Sequence, residues 1–429
     1  MADNKALPRS RLARLGKLAA LGARSGLRKL SGQDDPDGVA NLLSDQLSNM
    51  RGLALKVGQM ASYVDGVIPE EKREVYEKAL ARLRTSAAVM DTAGVLRQLQ
   101  KELGGTPDAL FATFEEKPFA SASIGQVHRA TLQDGRKVAV KIQYEGVEDA
   151  VRSDLANSRL VTSLLGPVGN KFGLSEQLAE LKARFVEELD YRHEAQAQER
   201  FRRIFANDQQ ILIPEVIANR SAGRVLTTTL AEGIGFDEAV RAPEADRRAW
   251  AGNLFRFVFG SVLWEGILNA DPHPGNYIFG PGGVVHVLDF GCTRQLSPPR
   301  FETVRKVHEA CARRDDKAFI EFALQLVDMV PGTPQGDKAE EYVRACFAAV
   351  MRPGPFKFTR EFAGSLVAQL RDQAKLVATS KAADVRPLPA ELLFFNRLQV
   401  GFYSVLARLE VAVDYDAIHS ALVRKIQRS

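Results

Sequence analysis

Asp271-Pro272-His273-Pro274-Gly275-Asn276, then Val284-Val285-His286-Val287-Leu288 running into Asp289-Phe290-Gly291, is the stretch whose reading decides the fold. Four residues separate Asp271 from Asn276, and the second aspartate ends an apolar run that reads as a buried strand. That pairing of loop and strand end matches the catalytic and metal-binding loops of enzymes that move a phosphoryl group from ATP. In such a site Asp289 chelates Mg²⁺ that bridges the phosphates and Asn276 supplies a further oxygen ligand. Asp271 orients or deprotonates the acceptor.

Three elements upstream stand in the order this chemistry needs. Ala120, Ser121, Ala122, Ser123, Ile124, Gly125, Gln126 and Val127 join two strand-like runs with mostly small residues, so backbone can approach a triphosphate where larger side chains would block it. Val138-Ala139-Val140-Lys141-Ile142 is a strand whose lysine interrupts apolar neighbours, as a phosphate-facing lysine does. A segment read as helical, Glu187-Glu188-Leu189-Asp190-Tyr191-Arg192-His193-Glu194, offers carboxylates to hold that lysine extended. On a continuous helix Glu188 and Glu194 project about 120° apart and serve different partners. Taken singly, each of these has a bland reading: a turn, an edge-strand lysine reaching solvent, a solvated helix face. Their order and spacing select the phosphoryl-transfer reading.

Outward from this core, 429 residues with 45% apolar content predict two or three domains. Residues 39–64 and 70–84 read as amphipathic helices and Asp91–Leu103 as another. Leu110–Phe114, Ile124–Leu132 and Val138–Ile142 read as an antiparallel meander turning at Asp134-Gly135. A long helix is expected from about Ser175 to Phe205, strands at Ile211–Ile213 and Arg224–Leu230, and helices from Arg247 onward. Phe394, Phe395, Leu398, Phe402 and Leu406 have the spacing of a core-facing helix. The expected class is α+β, with a basic segment at 1–38, a helical extension at 39–106, a sheet-bearing domain at 107–235 and a helical domain at 236–429.

The net charge of +5 is uneven, because residues 1–30 carry eight Lys or Arg against Asp3 and contribute +7, leaving −2 elsewhere. Positive charge gathered on one terminal segment, and not on a folded face among stacking aromatics, argues against a nucleic-acid partner. Leu12, Leu15, Leu18 and Leu21 recur between the cations as in a helix that lies on anionic lipid. An Arg-rich organellar transit segment has the same composition. No apolar run reaches the ~20 residues that cross a bilayer, so the expectation is a cytoplasmic protein, peripheral to the inner membrane face. The three cysteines show no paired spacing for a disulfide framework or zinc site. His273, among prolines in a tight loop, reads as a hydrogen-bonding residue and not a metal ligand.

Together with Lys56-Val57-Gly58-Gln59, these motifs resemble the UbiB/AarF atypical kinase-like family, which includes the mitochondrial coenzyme Q kinases. The resemblance runs from about Ser44 to Leu296. It implies a protein-kinase-like two-lobe fold, ATP and Mg²⁺ as cofactors, and a role in isoprenoid-quinone metabolism, which sets a quinone precursor beside the anionic lipid expected from the basic segment as partner. It assigns Lys56 and Gln59 to the family's Lys-x-Gly-Gln motif, Glu188 and Asp190 to its Glu-x-Asp motif, and Glu194 to the glutamate that pairs with Lys141. All of these are expected near the nucleotide. Only Cys292–Leu296 separates Asp-Phe-Gly from the next helix, so no long activation segment exists to dock a protein substrate. Three departures stand out: Ser121 replaces an alanine, Thr229 replaces a hinge glutamate, and Asn269 replaces the histidine that braces the loop aspartates. This last change motivates one alternative, a nucleotide-binding pseudokinase scaffold; a small-molecule phosphotransferase is a further alternative, weakened by Lys56 to Gln59.

Overall fold

The structure is a computed structural model and describes residues 90–122, 124–149, 189–379 and 390–426. The basic segment, the helices expected over 39–64 and 70–84, and Lys56, Gln59, Ser123 and Glu188 lie outside the described residues.

The chain opens with α1 (Thr92–Leu103), the one-turn α2 (Pro107–Leu110), β1 (Thr113–Phe114), β2 (Ala120–Ser121), β3 (Gly125–Thr131) and β4 (Lys137–Gln143). Next come α3 (Tyr191–Ile204), β5 (Ile211–Leu212), β6 (Val225–Thr229), α4 (Phe236–Ala239) and α5 (Glu244–Glu265). Four short strands follow: β7 (Ile267–Asn269), β8 (Tyr277–Phe279), β9 (Val285–Val287) and β10 (Thr293–Gln295). The remainder is α6 (Pro298–Ala312), α7 (Asp316–Leu326), α8 (Pro334–Phe347), β11 (Phe356–Lys357), α9 (Arg360–Thr379), α10 (Ala390–Leu409), β12 (Ala412–Val413) and α11 (Tyr415–Ile426). The expected α+β class holds. Two compact units divide the described chain, one taking the residues up to 149 with Leu189 and Ala222–Thr227, the other taking the rest.

The first unit is built on a sheet of order β1-β3-β4-β6, with β2 on β3. Alternation along β4 buries Val138, Val140 and Ile142 completely on one face. Opposite them on β3, Gln126 and His128 are buried too. The His128 Nδ1 bonds the Glu115 carbonyl at 2.8 Å and its Nε2 meets the Gln126 amide at 2.9 Å. Burial pushes this imidazole's pKa down, so it donates from Nδ1 and accepts at Nε2. Helix α1, capped by Asp91 accepting from Gly94 N at 2.8 Å, presents Val95 and Leu99 at helical spacing to the core.

Two expectations fail here. Leu110–Phe114 is not one strand: Pro107 opens a helical turn through Leu110, as proline does at a first helical position, and only Thr113–Phe114 pairs with β3. The helix expected through 187–194 is interrupted, because Asp190 is extended (φ −116°, ψ 104°) and caps Arg192 N at 3.0 Å, so α3 starts at Tyr191. The angular relation between Glu188 and Glu194 drawn from a continuous helix therefore does not hold.

The second unit is organised by α5, buried on most sides, which no amphipathic pattern announces. Trp250 Nε1 donates to Gly280 O at 2.9 Å and Asn253 Nδ2 to Gly283 O at 2.7 Å, fixing the turn between β8 and β9 to this helix. Leu398, Phe402 and Leu406 of α10 are buried as their spacing predicts, while the side chains of Phe394 and Phe395 lie outside the described set.

His308 on α6 and His419 on α11 form a buried pair, Nδ1 to Nε2, at 2.8 Å. Burial, with Arg314 adding to it, pushes the His419 pKa down to about 4, and burial pushes that of His308 well below its ordinary value. The folded state therefore binds fewer protons than the unfolded chain below pH ~6.5, so stability is whole above that pH and is lost as pH falls toward 4. At about 1.4 kcal/mol per unit, His419 alone withdraws roughly 2 kcal/mol by about pH 5. Urea unfolding at neutral pH and near pH ~5 measures this; equal midpoints would show that the pair is not held neutral.

Candidate active site

The nested pairing of four short strands brings the loop residues together. Strands β8 and β9 form an antiparallel hairpin with Tyr277 opposite Val287, and one residue further out Leu288 N donates to Asn276 O at 2.9 Å. That bond closes the hairpin, so Asn276 and Asp289 stand together at its open end. Outside it, β7 pairs with β10, Asn269 opposite Thr293, and Ala270 N donates to Cys292 O at 2.8 Å. The inner pair therefore sets Asn276 beside Asp289, and the outer pair sets Asn269 beside the chain leaving Asp-Phe-Gly.

Asn269 is buried and works at both aspartates. Its Nδ2 donates to Asp289 O at 2.8 Å and its Oδ1 accepts from Asp271 N at 3.3 Å. Asn269, with the one donor and one acceptor an amide carries, thus reaches the backbone of both aspartates where the family resemblance puts a bracing histidine. Asn276 Nδ2 donates to Asp271 O at 3.0 Å and to Asp271 Oδ2 at 3.3 Å. Its Oδ1 has no hydrogen-bond partner among the described residues, which leaves a hard oxygen for a cation. Asp289 Oδ1 accepts from Gly291 N at 2.9 Å. No group of three His, Cys, Asp or Glu among the described residues is placed to hold a metal ion. Mg²⁺ does not need one, because it is commonly held by one or two carboxylates plus the phosphates of its substrate. Asp289 and Asn276 fit that donor set.

His273 Nδ1 accepts from Gly275 N at 2.9 Å, and burial pushes its pKa down despite the opposing pull of Asp289. It shapes the loop turn, as its sequence context predicts. Beneath the loop, a Cβ on Gly401 of α10 would lie 2.7 Å from Pro272 Cγ, so this helix packs where only glycine fits.

Phe290 is 1% exposed and meets Phe201 of α3 with ring centroids 5.0 Å apart. Tyr191, Glu194, Gln198 and Phe201 share the buried face of α3, so Glu194 is a buried carboxylate on the helix that anchors Phe290. Asp190 contributes the cap of α3. One support of the site escapes motif reading: Phe201, whose signal in the sequence is a seven-residue spacing to Glu194. Thr229 holds Glu215 on both sides, with its N donating to Glu215 O and its Oγ1 accepting from Glu215 N, each at 2.9 Å.

Within the first unit, register puts Ala120 opposite Val127 and Val127 opposite Lys141. Cross-strand partners share a sheet face, so Lys141 stands in one row with two residues of the small-residue loop, on the face away from Val140 and Ile142. Ser121, exposed on β2, pairs with Gln126, and Ala122 N closes the turn on Gly125 O at 2.9 Å. Gln126 differs from expectation: its side chain is 1% exposed on the opposite face, and its Oε1 accepts from Met90 N at 2.8 Å. Any contact from Gln126 to a phosphate on the Lys141 face is left to its backbone. Ile124 is likewise buried, and its carbonyl accepts from Tyr144 N at 3.0 Å. At Gly125 a Cβ would stand 2.3 Å from Ile142 O, so close strand approach requires glycine there whatever binds beyond it.

Comparison with known proteins accords with this geometry. Residues 82–323 match the ABC1 atypical kinase-like domain. The Caenorhabditis elegans mitochondrial atypical kinase coq-8 is 30% identical over 86% of this chain, which spans 48% of that protein. The Rattus norvegicus mitochondrial atypical kinase COQ8B is 29% identical over 95% of this chain and 79% of its own length. Among solved structures, a Mycobacterium tuberculosis protein in complex with erythromycin superposes with a TM-score of 0.62 at 27% identity, covering 92% of this chain and 96% of that one. A kinase-like fold, the Asp271-to-Asn276 loop with Asp-Phe-Gly, and a domain match over more than half its length place this chain in the ABC1, or UbiB-type, atypical kinase-like family.

Proposed function

We propose that this chain is a Mg²⁺-dependent, ATP-binding atypical kinase or ATPase that supports isoprenoid-quinone biosynthesis at a membrane surface. The observation that carries the ATP part is Asn269 bridging Asp271 and Asp289 while Asn276 Oδ1 stays available. Asp289 and Asn276 hold the metal, and Asp271 orients or deprotonates the acceptor hydroxyl or water. Lys141 and the backbone of the Ala120–Val127 loop serve the phosphates, and Glu194 takes the role the family resemblance gives it, keeping Lys141 extended. Bound Mg²⁺-ATP supplies the phosphoryl group and the cationic charge that offsets its developing negative charge. The quinone part follows the relatives named as COQ8 atypical kinases.

The partner we assign is anionic lipid or a quinone precursor, on the strength of the basic segment and of the short Cys292–Leu296 link, which leaves no docking segment for a protein substrate. The chain's place is then cytoplasmic, peripheral to the inner membrane face. Among the described residues no helix is long and apolar enough to cross a membrane. The pseudokinase alternative is weakened by the retained Asp271, Asn276 and Asp289 and by the brace at Asn269.

The test is phosphate release from ATP by the full chain, with and without Mg²⁺ and with and without phosphatidylglycerol vesicles. Release that requires Mg²⁺ and rises with vesicles is expected. Vesicle-independent release would remove the lipid partner. ATP that raises the melting temperature without being hydrolysed would instead favour the scaffold reading.

A further inference from the structure

A cavity of about 80 Å³ lies among the helices of the second unit, walled by Val307, Val343, Leu398 and Phe402, with His308 on its surface. It is well above the ~10–15 Å³ that holds one water and about half the ~150 Å³ engineered apolar cavity that takes benzene. No Lys, Arg, Asp or Glu is among its lining residues, so a charged occupant would be left without a counter-charge.

Tyr342, Gln373 and Gln399 line the cavity beside His308, which is only 5% exposed and set among the rings of Phe259, Phe347 and His419. The His308 Nδ1 is engaged by His419 Nε2 at 2.8 Å, whereas its Nε2 has no hydrogen-bond partner among the described residues and is not sealed off by its neighbours. The tautomers follow from the far end of the pair. His419 Nδ1 is sealed and has no partner among the described residues, and a buried N–H without an acceptor costs more than a bare lone pair. His419 therefore carries its proton on Nε2 and donates it to His308 Nδ1, which puts the His308 proton on Nε2, a donor turned to the cavity. An unfilled apolar space and an unanswered donor each cost stability, and one occupant relieves both.

We propose that this cavity is a binding site for a small, neutral, apolar molecule with one hydrogen-bond acceptor, a carbonyl or ether oxygen, that receives a hydrogen bond from His308 Nε2. The site lies within one unit and does not depend on nucleotide, so its success or failure leaves the ATP reading untouched.

Cyclopentanone and cyclopentane serve as matched probes, titrated into ¹⁵N-labelled full-length protein while long-range ¹H–¹⁵N spectra follow the His308 ring. The expected result is a ring protonated at Nε2 that shifts saturably with cyclopentanone, and roughly 10-fold weaker binding of cyclopentane, the loss that follows from removing one partner of a buried hydrogen bond. Val343→Phe, which fills the space, should abolish the cyclopentanone shift, and Leu398→Phe is the second variant should that protein not fold. Proton on Nδ1, equal binding of the two probes, no saturable shift, or undiminished binding in a folded filled variant would each overturn the proposal.

Discussion

Asp289→Asn is expected to lower Mg²⁺-dependent phosphate release by about 10²- to 10³-fold, the loss seen when one preorganised charge-stabilising group is removed from an active site. The substitution is nearly isosteric. An asparagine Oδ1 can still accept from Gly291 N, the bond Asp289 makes at 2.9 Å, and the carbonyl that receives Asn269 Nδ2 is unchanged. Local structure should survive, and thermal unfolding of the variant should match the parent within about 1 kcal/mol. What is lost is the negative charge that makes this oxygen pair a Mg²⁺ ligand. Steady-state release across a Mg²⁺ titration measures the effect; parental turnover in the folded variant would remove Asp289 from the metal site.

The fold class and the gathering of the loop residues were more legible than the bounds of the elements around them, for physical reasons visible at single residues. Spacing brings Asn276 and Asp289 together because the β8–β9 hairpin that joins them is short and its register admits little choice, and Asp271 is held to Asn276 across the four-residue loop. The Val138–Ile142 run was readable as a strand because alternation buries every second residue, and the structure extends it only to Lys137–Gln143. Helix α1 was readable from its cap and its Val95 and Leu99 spacing. By contrast, Leu110–Phe114 looks like a strand by composition, and the decisive residue is Pro107 outside it. Asp190 reads as a helix-face acid when it is the helix cap, because residue type alone does not separate those roles. Gln126 and Gly125 sit in a loop whose small residues suggest phosphate binding. In the structure one side chain turns to the core and the other position is demanded by Ile142 O, facts that need the register of β3 on β4.

The brace at Asn269 gives the second large expectation. Asn269→Ala removes a donor and an acceptor at once, leaving Asp289 O and Asp271 N without the partners they now have at 2.8 and 3.3 Å. Each buried backbone group left unsatisfied costs about 1–3 kcal/mol, so the variant should lose stability. Its phosphate release should fall about 10- to 100-fold, as when the partner that orients a metal ligand is lost. Asn269→His tells bracing from bulk. An imidazole also offers one donor and one acceptor, so a histidine that restores most of the turnover supports bracing, whereas Asn269→Leu fills the volume with neither group and should behave like alanine. Turnover by all three variants, read beside their unfolding midpoints, decides between the two accounts. If leucine keeps parental turnover, Asn269 fills space and the aspartates are held by the β7–β10 and β8–β9 pairings alone; if leucine fails and histidine recovers, position 269 is where this chain replaced one bracing group with another of the same hydrogen-bonding capacity.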